Sequence, residues 1–127
     1  MTTTKIRKPV PIYTTLGDCD AYMIYPMLYN LSGEWVGFIL TSREVYSVYG
    51  DYVGYLSEDS RILRKRVYDF NKPKLVSPPT PPNVALPAFS PLAPLMAEIA
   101  YDTIDILLED PERLPTIDAG EFRPDME

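Results

Sequence analysis

The chain has no histidine and one cysteine, Cys19, among its 127 residues. Those counts remove any mechanism that needs an imidazole base, most zinc sites and any disulfide within the chain. Carboxylates and phenols remain. Asp18, Glu34 and Asp51 each directly follow a glycine at near-equal spacing. Gathered about an axis, they would form a carboxylate ring able to hold a hard cation such as calcium or magnesium. As plain turn residues they would face water. Paired carboxylates can serve as acid and base, but no pair is set apart by spacing. Cys19 aligns with Trp35 and Tyr52 and is expected to pack as they do, since a reactive thiol needs an activating neighbour. Neither a P-loop nor G-x-G-x-x-G is present. No catalytic residue, metal ligand or cofactor is assigned, and the chain is not expected to be an enzyme.

The elements that would position these residues repeat. Three segments, Ile12–Met23, Leu28–Ile39 and Val45–Leu56, share the order aliphatic, Tyr, three variable, Gly, acid, two variable, Gly or Ala, aromatic, aliphatic. Their offsets are 16 and 17 residues, and a degenerate fourth copy would begin at Ile62-Leu63. Each copy reads as a β-hairpin. Gly33 or Gly50 supplies the positive φ of a tight turn, and the second strand is rich in aromatic and β-branched residues. Gly37 and Gly54, inside that strand, mark a bulge or a close backbone approach. A lone hairpin is marginal, so the copies must share a core.

Copies two and three, "YNLSGEWVGFI" and "VYSVYGDYVGYL", resemble the hairpin repeat of bacterial 4-fold β-flower proteins over about residues 11–68. The resemblance implies hairpins around a pseudo-fourfold axis. It implies no established activity and carries over no catalytic residue. Gly33–Ile39 and Gly50–Leu56 are also similar to a strand of PRC-barrel domains; the regular offset favours the flower.

Nine of the ten tyrosines lie between Tyr13 and Tyr68. They are core and cross-strand packing, or they line a pocket for a small ligand, for which the candidates are Tyr29, Trp35, Tyr46, Tyr52 and Tyr55. Eight prolines fall between Pro73 and Pro94. Pro78-Pro79-Thr80-Pro81-Pro82 predicts an extended polyproline segment, acting as a spacer or as a ligand for an aromatic groove. Beyond it, Ser90 as N-cap and Pro91 as first residue predict a helix over 91–110, with Pro94 as an alternative start. Leu92, Leu95, Met96, Ile99, Ile106 and Leu107 form its apolar stripe, and Glu98, Asp102, Asp105 and Glu109 an acidic one. Pro111 stops it.

The net charge of −6 is segregated: residues 1–90 carry +2 and residues 91–127 carry −8. The basic cluster Arg61, Arg64, Lys65, Arg66, Lys72 and Lys74 is a solvated face, a seat for the chain's own acidic half, or a phosphate contact. The overall balance makes nucleic acid an unexpected partner. The first eight residues hold no apolar run of a secretory signal, and no stretch reaches membrane-spanning length, so a cytoplasmic location is expected.

The expected architecture is thus mainly β: a small barrel- or flower-like module of repeated hairpins with pseudo-rotational symmetry (1–72), a proline-rich linker (73–90), one C-terminal amphipathic α-helix (91–110) and an acidic tail (111–127). The expected role is a structural or protein-interaction module. It self-associates or meets a protein partner through Leu95, Met96, Ile99, Ile106 and Leu107 on that helix. The alternative is a small-ligand domain using the tyrosine-rich pocket.

Overall fold

The computed structural model describes residues 8–67 and 72–117. The fold is mainly β. Eight antiparallel strands follow one another in chain order in a single sheet, curled into a half-barrel, with one short helix near the C-terminus. The strands are β1 (Val10–Tyr13), β2 (Cys19–Ile24), β3 (Met27–Tyr29), β4 (Trp35–Ile39), β5 (Glu44–Ser47), β6 (Tyr52–Leu56), β7 (Ile62–Lys65) and β8 (Thr103–Asp105). Helix α1 is a single turn, Ile106–Glu109.

The repeat in the sequence is a repeat in backbone chemistry. The turns Thr14–Asp18, Asn30–Glu34 and Ser47–Asp51 join β1–β2, β3–β4 and β5–β6. In each, the first residue's N–H donates to the fifth residue's carbonyl, and the glycine N–H donates back to the first carbonyl. The glycines sit at φ +92, +81 and +85, as a three-residue hairpin loop with a left-handed final position requires. The same pattern joins β4–β5 and β6–β7 at Leu40–Glu44 and Ser57–Arg61, where Arg43 and Ser60 occupy the left-handed position. The β1–β2, β3–β4 and β5–β6 hairpins also skip one residue of register at the equivalent place: Asp20, Val36 and Val53 are bulged out beside Ala21, Gly37 and Gly54. Side chains at Gly37 and Gly54 would collide with the carbonyls of Tyr46 and Leu63 on neighbouring strands.

Equivalent aliphatics of the copies meet in one core. Ile12, Leu28, Val45 and Ile62, the leading aliphatic of all four copies, are at most 1% exposed. Val36, Val53, Ile39 and Leu56 join them. The C-terminal segment then adds Ile104, Ile106 and Leu114 to the same cluster. Each such side chain contributes roughly 1.5–3 kcal/mol on burial, so the hairpins and the C-terminal segment share one core.

The sheet's other face carries a second cluster of Tyr29, Trp35, Phe38, Tyr46 and Val48. Leu75, Val84 and Leu86 pack against it. Residues 73–90, expected as a linker, therefore lie along the hairpins rather than standing off from them. Val84 N–H donates to the Gly33 carbonyl and Leu75 N–H to the Gly50 carbonyl, each at 3.0 Å. A side chain at either glycine would strike the carbonyl of the residue docked there, Val84 or Leu75, whereas nothing lies within 4 Å of the equivalent position at Gly17. Ser77 Oγ adds a hydrogen bond to the Val48 carbonyl. From Lys72 to Asp102 the chain forms a strap that passes the third hairpin, the second and the first before reaching the β6–β7 turn.

The helix expected over residues 91–110 does not form as one element. Residues 91–100 are extended, Thr103–Asp105 is strand β8, and only Ile106–Glu109 is helical. Pro91 and Pro94 lack the N–H a helix interior uses, and each biases its predecessor away from helical backbone. The polar groups of Ala97 are taken elsewhere: its N–H donates to Asp59 and its carbonyl accepts from Arg61. The sheet takes the next three residues, because β7 pairs with β8 through Leu63↔Asp105, Arg64↔Ile104 and Lys65↔Thr103. Pro111 ends the single turn and opens a 3-10 turn, Pro111–Arg113.

Burial along the strap has a period of three. Ser90, Ala93, Met96, Ile99 and Asp102 are half-buried, and every residue between them is exposed. That is the repeat of a polyproline helix, which turns once in three residues and makes no hydrogen bonds within itself. One outward row is Phe89, Leu92, Leu95, Glu98 and Tyr101, whose apolar members are 89%, 96%, 100% and 94% exposed.

Candidate functional site

The densest polar constellation lies where the sheet's two ends approach the strap. Arg61, in the β6–β7 turn, is 1% exposed. It faces Asp59 at 2.6 Å, its Nη1 donates to Thr15 Oγ1 at 3.1 Å, and its Nη2 donates to the Ala97 carbonyl at 2.7 Å. Asp59 accepts from Ser57 Oγ and from the Ala97 N–H. Arg61 and Asp59 therefore hold the strap's peptide group from both its donor and its acceptor side. Arg61, beside Asp59, holds that carboxyl down at about 2, against the opposing effect of burial and with help from Ser57 and Ala97. Thr15 also donates, through N and Oγ1, to Asp105 Oδ2 at 2.7 and 2.6 Å. Tyr13 N–H reaches the Ser60 carbonyl, and Tyr13 OH reaches the Pro91 carbonyl. This network fastens β1, the β6–β7 turn, β8 and the strap to one another. Buried ion pairs of this kind are weak sources of stability but strong fixers of geometry when fully hydrogen-bonded.

Beside that clamp runs a groove of about 570 Å³ between the strap and the β6–β7 turn. Leu63, Pro94, Leu95, Ile99 and Tyr55 supply its apolar walls, and Glu58 and Glu98 sit in its lining. Both glutamates are exposed, and among the described residues neither has an ion-pair or hydrogen-bond partner. The one guanidinium in the groove, Arg61, is spent on Asp59, Thr15 and Ala97.

The residues expected to interact through a helix separate into two groups. Ile106 is fully buried in the core and Leu107 packs against it. Leu95 is fully exposed, while Met96 and Ile99 are half-buried on the strap's inner row. No helical stripe unites the five, because residues 91–102 follow a period of three. Of the aromatic set, Tyr29, Trp35 and Tyr46 are buried at 3–4% exposure under the strap. Trp35 Nε1 donates to the Gly37 carbonyl, and Tyr46 packs edge-on against Tyr52. Burial raises the pKa of Tyr29, Tyr46 and Tyr52, so these phenols stay protonated near neutral pH. Tyr55 is separate from them, on the wall of the groove.

Asp18, Glu34 and Asp51 hold local turn positions. Glu34 accepts from Asn30 Nδ2, and Asp51 pairs with Lys74 at 3.7 Å. Among the described residues no group of three or more His, Cys, Asp or Glu is arranged to hold a metal ion. Cys19 is a half-buried free thiol near the Ala21 carbonyl.

The basic cluster is neutralised within the chain. Lys65 pairs with Asp102, Arg66 with Glu109 and Arg64 with Asp110, so the acidic C-terminal segment supplies three partners. Lys72 pairs with Glu44, Lys74 with Asp51 and Arg61 with Asp59. Sequence reasoning missed the groove and the Arg61–Asp59 clamp. The clamp's signal was present as D-x-R in a turn, but its ligand, the Ala97 peptide group, lies far along the chain. No described helix is long and apolar enough to cross a membrane. Residues 118–127, most of the expected acidic tail, lie outside the described residues. The sequence matches no family model, no curated protein and no solved structure.

Proposed function

We propose that the chain is a non-enzymatic interaction module whose strap displays an apolar ridge to a protein partner. The observation that carries this reading is the outward row Phe89, Leu92, Leu95 and Tyr101, at 89–100% exposure on a backbone whose inner row is docked. Large apolar side chains presented at one position per turn of an extended helix are the form in which proline-rich ligands meet aromatic-lined grooves. Three consecutive apolar positions on that row, with Tyr101 beyond Glu98, are more than the isolated exposed apolar residues of an ordinary surface.

The pseudo-fourfold flower is the architecture proposed beneath that strap. It is supported by the equivalent turns and bulges, by the burial of Ile12, Leu28, Val45 and Ile62 in one cluster, and by β8, which gives β7 the partner its degenerate copy lacks. A cytoplasmic location accompanies this reading.

Self-association is the first form of partnership to test. Light scattering after size exclusion should compare the chain with the Leu92→Ser/Leu95→Ser double variant. A mass above the 14.4 kDa monomer that falls on substitution supports contact between copies through the ridge. A mass that does not change on substitution removes the ridge as the self-contact.

A further inference from the structure

We infer that the groove beside the ridge seats an extended segment of another protein in which apolar side chains alternate with lysine or arginine. This rests on the reading of the strap as an interaction face and names the chemistry of what it meets. Four observations support it. The groove, about 570 Å³, is of the size that holds a few side chains. Its walls, including Leu63, Pro94, Leu95 and Ile99, offer apolar contact and no free cation. Its strap wall is pre-set, because Arg61 and Asp59 fix the Ala97 peptide group from both sides, so little order is lost on binding. Its charge is unspent: the six residues of the basic cluster all sit beside carboxylates, yet Glu58 and Glu98 have no partner among the described residues.

Charge complementarity then chooses the occupant. A second copy brings a net charge of −6 and a basic cluster already paired. That cluster, Arg61 to Lys74, therefore has no spare cation to set against Glu58 and Glu98. A basic, apolar segment of another chain satisfies both carboxylates and the walls together.

The test is fluorescence anisotropy of the full chain with a fluorescein-labelled peptide of about four Leu-Lys-Pro repeats, a sequence that favours extended backbone in water. Its counterparts carry Glu in place of Lys, or Gly in place of Leu. The Leu-Lys-Pro peptide should bind, with each counterpart about tenfold weaker or worse. The Glu58→Gln/Glu98→Gln variant should weaken binding roughly fivefold, as loss of two exposed ion pairs implies. Glu112→Gln, an exposed carboxylate away from the groove, should leave it unchanged. Near-ultraviolet circular dichroism of Trp35 establishes that the variants are folded. Equal binding of the Glu counterpart, or an equal loss from Glu112→Gln, would overturn the inference, since attraction would then be unspecific. Absence of Leu-Lys-Pro binding also overturns it. In that case the interaction-face reading survives if the ridge variant still changes the solution mass, and falls with it if the ridge is inert as well.

Discussion

Sheet and strap are both extended backbone, but they solve the problem of their polar groups differently. In the sheet, each strand's N–H and C=O groups find a neighbouring strand, and side chains alternate between two packed faces. In the strap, the hydrogen bonds to the module are spaced along the chain, at Lys72, Leu75, Ser77, Val84, Pro91, Ala97 and Asp102. Only every third residue from Ser90 to Asp102 faces inward. The sheet therefore buries most of its apolar side chains, and the strap leaves Leu92 and Leu95 in water. The two are nonetheless one folding unit, because the strap delivers β8 and three core residues to the end of the sheet.

The sharpest way to break that comparison is to cut the strap. Ending the chain at Val76 removes β8 together with Ile104, Ile106 and Leu114. Three buried aliphatics at about 2–5 kcal/mol each rival the whole stability of a small domain. The expected outcome is loss of cooperative urea unfolding and of the near-ultraviolet signal of Trp35. A truncated chain that unfolds cooperatively would show that the hairpins are self-sufficient and the C-terminal segment an accessory.

A smaller effect is expected at the seam. Arg61→Ala leaves Asp59 in a largely buried site without its guanidinium and frees the Ala97 carbonyl, at a cost of about 3–5 kcal/mol in urea unfolding. The same pair sets an acid limit. The folded Asp59 carboxyl is lowered to about 2, below its ordinary value near 4. Its contribution is therefore complete above about pH 4 and is lost as pH falls through about 2. Asp20 works the other way. Burial, then Asp18 and Asp105, raise its carboxyl, so its penalty is relieved by acid. Wild type should lose stability between about pH 4 and 2, and Asp59→Asn should start lower and fall less over that window. An equal slope in both proteins would place the acid sensitivity elsewhere.

Next in size is the comparison between turns of the same sequence pattern. Gly50→Ala and Gly17→Ala both place a side chain at positive φ, a strain of about 1 kcal/mol. At Gly50 the new Cβ also collides with the Leu75 carbonyl, whereas at Gly17 it meets open space. Gly50→Ala should cost the more and should speed hydrogen exchange at the Leu75 amide. Equal losses at the two glycines would mean that the strap does not lean on the Gly50 turn.

The hairpins were legible because their signal is local. Gly33 and Gly50, the acid after each and the β-rich run that follows fix a turn within a few residues, and the 16- and 17-residue offsets repeat it. The shared core of Ile12, Leu28, Val45 and Ile62 follows from the same alignment. The strap was not legible because its apolar spacing fits a helix. Leu92, Leu95, Met96 and Ile99 share one face at the helical repeat of 3.6, but at the polyproline repeat of 3 they divide into an outer pair, Leu92 and Leu95, and an inner pair, Met96 and Ile99. What decides between them is local at Pro91 and Pro94 and remote at Asp59 and Arg61, which take the peptide groups of Ala97 that a helix would use. The tyrosine set divides for a related reason. Tyr29, Trp35 and Tyr46 do form an aromatic surface, but Leu75, Val84 and Leu86 cover it from more than twenty residues away.

The smallest expected effect bears most directly on function. If the strap's outer row serves the fold, replacing it should destabilise; if it serves a partner, it should not. Leu92 and Leu95 are 96% and 100% exposed, so they gain no burial on folding within the monomer. The Leu92→Ser/Leu95→Ser variant should unfold within about 0.5 kcal/mol of wild type at low protein concentration. Inner-row Ile99→Ser, at a half-buried position lining the groove, should cost more. A concentration-dependent gap between wild type and the outer-row variant would locate the missing burial in a complex, because association stabilises the folded state by mass action. A loss above about 1 kcal/mol at high dilution would instead mean that the outer row packs within the chain in solution, and the ridge would cease to be an interaction face.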